Sequence, residues 1–246
     1  MARNTLSLLL VALLTALFAV ARGSALPAAE NVQRRDENLP ARVPYVFPAP
    51  GTDTIADAIR ARRGNGTLLA LDGALLNAPL VAQGWNQLFT VIRENLTIPG
   101  EMRELFDYRS SEPQHSTRRR TNGTSLVPHA LHADLPFTRG QHEPVGRTEG
   151  LTTRQLRVLR FTPAGELSLA DQKILGNSLA AAVAFTDAIT ESVRVPDRVY
   201  NNLARFLSPK QMVEAVSTAG SYAFVSRFTV ALNVDGRMNE AVPVPV

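Results

Sequence analysis

The chain has 246 residues, of which 45% are apolar, and a formal net charge of +4. This length and apolar content suffice for one domain with a hydrophobic core. The small net charge gives no support for nucleic-acid binding. Because the sequence contains no cysteine, disulfide bonds, cysteine-dependent peroxidase activity and zinc–thiolate sites are all excluded.

The first 23 residues have the pattern of a secretory signal peptide. Arg3 precedes an apolar run from Leu6 to Val20, and small residues follow at a spacing typical of cleavage sites. The run is short for a membrane span, and no second long apolar run follows it. We therefore expect a protein that is secreted or stays in the secretory pathway, with no membrane attachment after cleavage. Three predicted N-glycosylation acceptors agree with secretion: Asn65, Asn95 and Asn122.

Residues 24–51 are rich in proline, alanine and charge, which predicts a linker or an extended arm. The dibasic pair Arg34-Arg35 fits either a processing site or an exposed linker. Helical patterns follow over residues 52–235, and residues 236–246 form a C-terminal tail. The helix that begins near Pro79 has apolar residues at three- and four-residue steps, which predicts a core-facing stripe: Leu80, Val81, Trp85, Leu88, Phe89 and Ile92.

Capping signals predict where the other helices begin. A short first helix starts near Thr54, and a capping box at Thr152 opens another. Ser168 caps a long alanine-rich helix that continues to Ile189, and Ser208-Pro209 opens a helix that continues to Leu232. No strand pattern is present. The sequence therefore predicts an all-α fold, a multi-helix bundle.

One stretch, at about 107–140, has no helical pattern. A helix that begins near Ile98 loses its period at Asp107, and order returns at His142. The prolines within the stretch oppose helix formation: Pro113, Pro128 and Pro136. We expect an irregular insertion, either a genuine divergent loop or the product of an unspliced intron or shifted reading frame that replaced an apolar helix.

Four stretches together carry a family resemblance. They are LDGALLNAPLVAQGWNQLFTVIRENLTIPGEMREL, QHEPVGRTEGLTTRQL, FTDAITESVRVPDRVYNNLARFLSPKQMVE and SYAFVSRFTVALNVD. The chain resembles the carboxymuconolactone decarboxylase-like family of the fungal secreted type, over about residues 40–235 without the irregular stretch. The resemblance implies the AhpD-like all-helical fold and a homo-oligomer, a trimer or a hexamer. It also implies decarboxylation or isomerisation of a small carboxylated lactone or related metabolite without a cofactor.

The resemblance further implies that Glu104 and His142 are active-site positions, although they lie 38 positions apart, about twice the spacing found in the family. Decarboxylation leaves negative charge on carbon, and a histidine can stabilise that charge and deliver a proton. A neighbouring carboxylate can fix the tautomer of the histidine. Arg147 could bind a substrate carboxylate through its planar fork of donors. We predict no metal site.

The same residues also have plainer explanations. The residues from His142 to Pro144 could end a helix at a bend, and Glu104 and Arg147 could be solvated surface residues. Trp85 and Tyr222 are expected in the core, where either could also line a pocket. The alternative function is therefore a non-catalytic oligomeric binding protein or an inactive family remnant with a disrupted active-site helix.

Overall fold

The structure is a computed structural model that describes residues 41–64, 66–110, 136–192 and 194–239, without the side chains of 136–141 and 237–239. The described residues belong to one compact unit, Leu39–Val246. The predicted signal peptide, Asn65 and Asn122 lie outside them. Within the described part of the chain, no helix has both the length and the apolar content needed to cross a membrane.

The described residues form α-helices and no strand, which confirms the predicted all-α fold. The helices are α1 Thr54–Arg63, α2 Ala70–Leu75, α3 Pro79–Glu94, α4 Gly100–Ser110, α5 Pro136–Thr148, α6 Thr153–Phe161, α7 Leu169–Leu175, α8 Asn177–Glu191, α9 Asp197–Leu203 and α10 Pro209–Leu232. A 3₁₀ segment, Val234–Asn239, follows α10.

Most helix starts agree with the capping signals. Thr152, Ser168 and Ser208 each accept a hydrogen bond from the backbone three residues later, so that all three predicted capping boxes form. The first helix differs, because its cap is Asp53, whose carboxylate accepts from the amides of Ile55 and Ala56. Side-chain oxygens thus satisfy backbone donors that lack partners within the helix.

The long alanine-rich helix predicted from Ser168 to Ile189 is wrong. Gly176 interrupts it with φ 78° and ψ 166°, so that α7 and α8 are separate helices. A residue with a side chain would adopt this backbone conformation only with strain, whereas glycine adopts it readily. The short α7 therefore ends at Leu175, and the backbone leaves the helical conformation at Gly176 before α8 begins.

The predicted stripe of α3 is only half correct. Trp85, Phe89 and Ile92 are buried, but Leu80 is 80% exposed, and Val81 and Leu88 are exposed as well. When each residue turns by about 100° around the helix axis, the exposed three lie at about 0°, 100° and 80°, and the buried three lie at about 140°, 180° and 120°. The apolar stripe is therefore wider than the contact with the domain, and its outer edge stays exposed.

Helix α4 is the centre of the bundle, and it packs against α5, α6, α8 and α10. The sequence predicted that order ends at Asp107, but α4 continues to Ser110 and buries every residue from Glu104 onward. A helix that is surrounded by others buries its polar residues too, so it has no amphipathic period to detect. The predicted irregular stretch is therefore too long at this end.

The predicted irregular stretch is also too long at its C-terminal end. Helix α5 begins at Pro136 and continues through Pro144 to Thr148. Pro136 is the first helical residue, where a missing N–H costs no hydrogen bond. Pro144 does not end the helix, because the backbone amides that follow it bond normally, as from Glu149 to the carbonyl of Val145. Residues 111–135 lie outside the described residues.

The predicted arm contributes to the domain. Residues 41–49 have no helix, but Ala41 is buried, and the amide of Arg42 donates to the carbonyl of Leu232. Val46 donates to the carbonyl of Gly73, where a β-carbon would lie 2.6 Å from the ring of Phe47. Gly73 thus permits this close approach, and the compact unit begins before residue 52.

Candidate active site

Two acidic side chains of α4 and one histidine of α5 meet inside the bundle. Glu104 and Asp107 are three residues apart, which places both on one face of α4. His142 Nδ1 lies 3.1 Å from Glu104 Oε2 and also contacts the carboxylate of Asp107. All three side chains are at least 94% buried. The structure therefore brings the predicted pair together and adds a second acid.

A network on the outer side holds Glu104 in place. Arg103 donates through Nε to Glu104 Oε1 at 3.1 Å and through Nη2 to Glu149 Oε1 at 2.9 Å. Glu149 packs against the start of α4, since a β-carbon on Gly100 would lie 1.7 Å from its carboxylate. A larger residue at position 100 would force the carboxylate of Glu149 to move and would disturb its bond to Arg103.

The electrostatics of the cluster favour a protonated histidine. Burial lowers the pKa of His142, but the charge of Asp107 and the hydrogen bonds to Asp107 and Glu104 outweigh burial and raise it to about 9. Burial raises the pKa of Asp107. Burial would also raise the pKa of Glu104, but the hydrogen bonds from His142 and Arg103 hold it below its ordinary value. At neutral pH the ring is therefore an imidazolium next to two carboxyl groups.

Arg93, from α3, lies on the other side of the imidazole ring. Its Nη2 atom is 3.2 Å from His142 Nε2. This contact is a hydrogen bond only when Nε2 has lost its proton, because a protonated Nε2 has no lone pair to accept. With the ring protonated, two cations face each other, and the acidic pair at Nδ1 offsets that repulsion. The proton on Nε2 is consequently the mobile one, and Nδ1–H is fixed.

Tyr222, from α10, completes this arrangement. Its ring meets His142 edge to face with centroids 5.3 Å apart. Its hydroxyl shares hydrogen bonds with Arg93 and Asp107. Burial, together with the charge of Asp107, raises the pKa of Tyr222 well above its ordinary value, so the phenol stays neutral and can donate. The phenol therefore links the acidic pair to Arg93.

The cluster opens onto a cavity of about 170 Å³. Its polar wall includes Arg62, Arg63, Arg93 and His142, and Trp85, Phe89 and Tyr222 supply aromatic surface. Trp85 and Phe89 stack with ring centroids 5.0 Å apart. The expectation that Trp85 and Tyr222 are core residues is confirmed, and both also line the cavity. A cavity of this size suits a small metabolite rather than a drug-sized ligand.

The donor atoms of Glu104, Asp107 and His142 lie within 4.8 Å of one another, a spacing that a divalent cation could use. Both carboxylates, however, already have cationic neighbours in the imidazolium of His142 and the guanidinium of Arg93. A divalent ion would have to displace the proton on Nδ1 and would add charge beside Arg93. The charge balance thus favours a proton over a metal at this position.

Two other predicted residues lie elsewhere. Arg147 donates through Nη2 to Glu143 at 2.8 Å and through Nη1 to Thr153 at 2.8 Å, and it does not line the cavity. Its predicted role in binding substrate therefore has no support from its position. Asn95 is exposed at the end of α3, an accessible position for the predicted glycosylation.

Sequence reasoning missed Asp107, Arg93 and Arg62. Asp107 had a detectable signal, since the spacing Glu-x-x-Asp places two carboxylates on one helical face. The predicted end of the helical pattern at Asp107 hid this signal. Arg93 and Arg62 had no signal, because each comes from the last turn of a helix where arginine is ordinary. Only packing places Arg93 beside His142 and Arg62 in the wall of the same cavity.

Comparisons with protein-family models, with curated proteins and with solved structures find no match to this chain. The family resemblance therefore stays a prediction. What can be said of the site comes from its own geometry.

Proposed function

We propose that the chain is a carboxymuconolactone decarboxylase-like enzyme. In this proposal it decarboxylates a small carboxylated lactone or related metabolite without a cofactor. The observation that supports the proposal most is a buried histidine whose Nδ1 atom contacts two carboxyl groups and whose ring lines a cavity. A histidine held in this way has a fixed orientation and one transferable proton.

The reaction needs two things from the protein. When the carbon–carboxylate bond breaks, its electron pair passes into the conjugated system of the substrate while CO₂ leaves. The cations Arg93 and His142, which both line the cavity, stabilise that negative charge. His142 then transfers the Nε2 proton to carbon, and Arg93 can donate its hydrogen bond to the vacated nitrogen. A proton from solvent restores the imidazolium.

The protonation state favours decarboxylation over isomerisation. An isomerase would begin with a neutral base that removes a proton from the substrate. The pKa of about 9 for His142 leaves the ring protonated at neutral pH, ready to give a proton rather than to take one. Glu104 and Asp107 stabilise this form, so they act as positioning residues for His142.

The test is an assay of CO₂ release from γ-lactone carboxylates in D₂O. Turnover should place one deuterium on the carbon that loses CO₂. We expect His142→Gln to lower kcat by about 10²- to 10⁴-fold, the contribution usual for general acid–base catalysis. Glu143→Gln, which alters the neighbouring residue paired with Arg147, should retain the wild-type rate.

Equal rates for His142→Gln and the wild type would refute the proposed role of His142. The alternative function, a non-catalytic binding protein or inactive remnant, predicts a different result. The wild type would then release no CO₂ from any γ-lactone carboxylate, whether or not it binds them.

The homo-oligomer, a trimer or hexamer, is part of the same proposal. The outer faces of the neighbouring helices α3 and α10 expose large apolar side chains, which are Leu80, Val81, Leu88, Val91, Val213, Val216 and Phe224. An exposed apolar surface of this kind is typical of an interaction site. Light scattering coupled to gel filtration tests the proposal, and a monomer at micromolar concentration would contradict it.

A further inference from the structure

The three arginines that form the cationic wall of the cavity differ in the partners that offset their charge. Arg63 forms a two-pronged ion pair with Asp72, through Nε at 2.6 Å and Nη2 at 2.7 Å. Arg93 lies beside the acids of the active-site cluster and the hydroxyl of Tyr222. Arg62 differs from both, because it forms no ion pair with any described residue. Among the described residues, Arg62 is therefore the arginine of this wall without a direct carboxylate or phenol partner, and Asp72 and Glu94 attract it only from a longer distance.

Arg62 is nevertheless held in place. Its Nε atom donates to Asn86 Oδ1 at 2.6 Å, and the side chain is half-buried. That bond leaves the two terminal nitrogens of the guanidinium for a ligand, in the planar geometry that pairs with a carboxylate. Burial and the like charges of Arg63 and Arg93 lower the pKa of Arg62, and they outweigh the opposing effect of Asp72 and Glu94. Positive charge is thus crowded here, and an anion would relieve that repulsion.

The rest of the cavity restricts what such an anion can be. Beside the arginines lie the stacked rings of Trp85 and Phe89 and the apolar side chains of Leu71 and Val225. These surfaces accept a flat or ring-shaped apolar body. The volume of about 170 Å³ leaves room for one small ring and its substituents.

We propose that Arg62 is the anion-binding, specificity-determining residue of this cavity, and that the cavity selects small ring compounds carrying a carboxylate. Asn86 is a positioning residue that orients Arg62. This inference rests on the proposed function for its biological meaning, but it concerns binding and can be tested without turnover. It also assigns to Arg62 the role that the sequence predicted for Arg147.

The protein has a built-in reporter for the test, because it contains a single tryptophan and Trp85 lines the cavity. The probes are furoate, benzoate and a saturated γ-lactone carboxylate, each titrated against tryptophan fluorescence and compared with its neutral amide. We expect all three carboxylates to bind more tightly than their amides. Arg62→Gln should weaken carboxylate binding about 10- to 100-fold, which is usual for a lost charge-assisted hydrogen bond, and should leave amide binding unchanged.

Three further variants make the result specific. Arg154→Gln removes one exposed positive charge from α6, away from the cavity lining, and should bind like the wild type. Arg62→Lys keeps the charge but not the planar fork, so binding should recover only in part. Asn86→Ala should weaken carboxylate binding about 3- to 10-fold, since it removes one neutral hydrogen bond.

Two outcomes would overturn the inference. One is that Arg62→Gln, with a wild-type circular dichroism spectrum, binds the carboxylates as tightly as the wild type. The other is that no carboxylate changes the fluorescence of the wild type. The proposed function fails separately, through the turnover of His142→Gln, which should still bind all three probes.

Discussion

Helix α4 carries two buried charged clusters, of which only one borders a cavity. At its C-terminal end Arg109 pairs with Asp187 through two hydrogen bonds of 2.6 and 3.1 Å, and the carbonyls of Leu159 and Thr162 accept from its Nη1. The amide of Gly165 also donates to Asp187. In its middle, Glu104 and Asp107 face the imidazole of His142, which lines a cavity.

The comparison separates a structural ion pair from a candidate catalytic one. The Arg109–Asp187 pair is closed, with one acid for one base and a hydrogen-bond partner for each of the three guanidinium nitrogens. It has no group to offer a ligand. The His142 cluster places two acids on one nitrogen, its other nitrogen faces Arg93, and both residues line a cavity that a proton acceptor can enter. Both clusters are buried, so burial does not distinguish them. They differ because only the His142 cluster borders the cavity that a ligand could enter.

The largest effect is expected from breaking the closed pair. Arg109→Met leaves the carboxylate of Asp187 buried without a counter-charge, which should cost about 3–5 kcal/mol in the free energy of unfolding. The double variant Arg109→Met/Asp187→Leu should recover most of that loss, because no charge is then buried. Urea denaturation measures both, and a loss below about 1 kcal/mol in the single variant would show that this pair is not closed in solution.

The cluster of Glu104, Asp107 and His142 should instead make the free energy of unfolding depend on pH. The pKa of His142 is raised from 6.5 to about 9 on folding, so its contribution is complete below pH 6.5 and is lost as the pH rises through about 9. The upper limit of this contribution is about 3 kcal/mol. Urea denaturation across this range should show the decline in the wild type and not in His142→Gln. The same decline in both proteins would exclude His142 as its source.

The Asp107→Asn variant distinguishes the effects of Asp107 and Glu104 on the pKa of His142. Removing that charge should lower the pKa of His142 by roughly 1–3 units, which is the usual effect of one nearby opposite charge. The alkaline limb of the pH–rate profile should move to lower pH by the same amount. NMR titration of the imidazole gives the pKa directly, with His142→Gln to assign the signal among the four histidines. An unchanged pKa would mean that Glu104 alone holds the proton.

The smallest effect is expected from Tyr222→Phe. The phenol bridges Arg93 and Asp107 but has no proton to give at neutral pH, since its pKa is well above the ordinary value. Losing its hydrogen bonds should lower kcat about 3- to 10-fold, or roughly 1 kcal/mol, with little change in KM. A loss as large as that of His142→Gln would place Tyr222 among the residues that transfer the proton.

The local features of the fold were predictable from the sequence. Capping boxes depend on residues three positions apart, so Thr152, Ser168 and Ser208 identify helix starts without knowledge of their neighbours. The all-α class follows from the same kind of local pattern. The failures occurred where tertiary contacts override it: at Gly176, which divides one predicted helix into two, and at Leu80, where an apolar residue faces outward.

The sequence by itself determined the helices, the absence of thiol chemistry and, through a family resemblance, Glu104 and His142 as the residues to examine. Only the tertiary structure decided the rest of the site. A central helix buries Asp107 and Arg109 as well as apolar residues, so its pattern resembles that of a loop until its neighbours are known. Arg62 and Arg93 reach the cavity through the packing of α1 and α3 on the remaining helices, a contact between distant segments that no short-range pattern encodes.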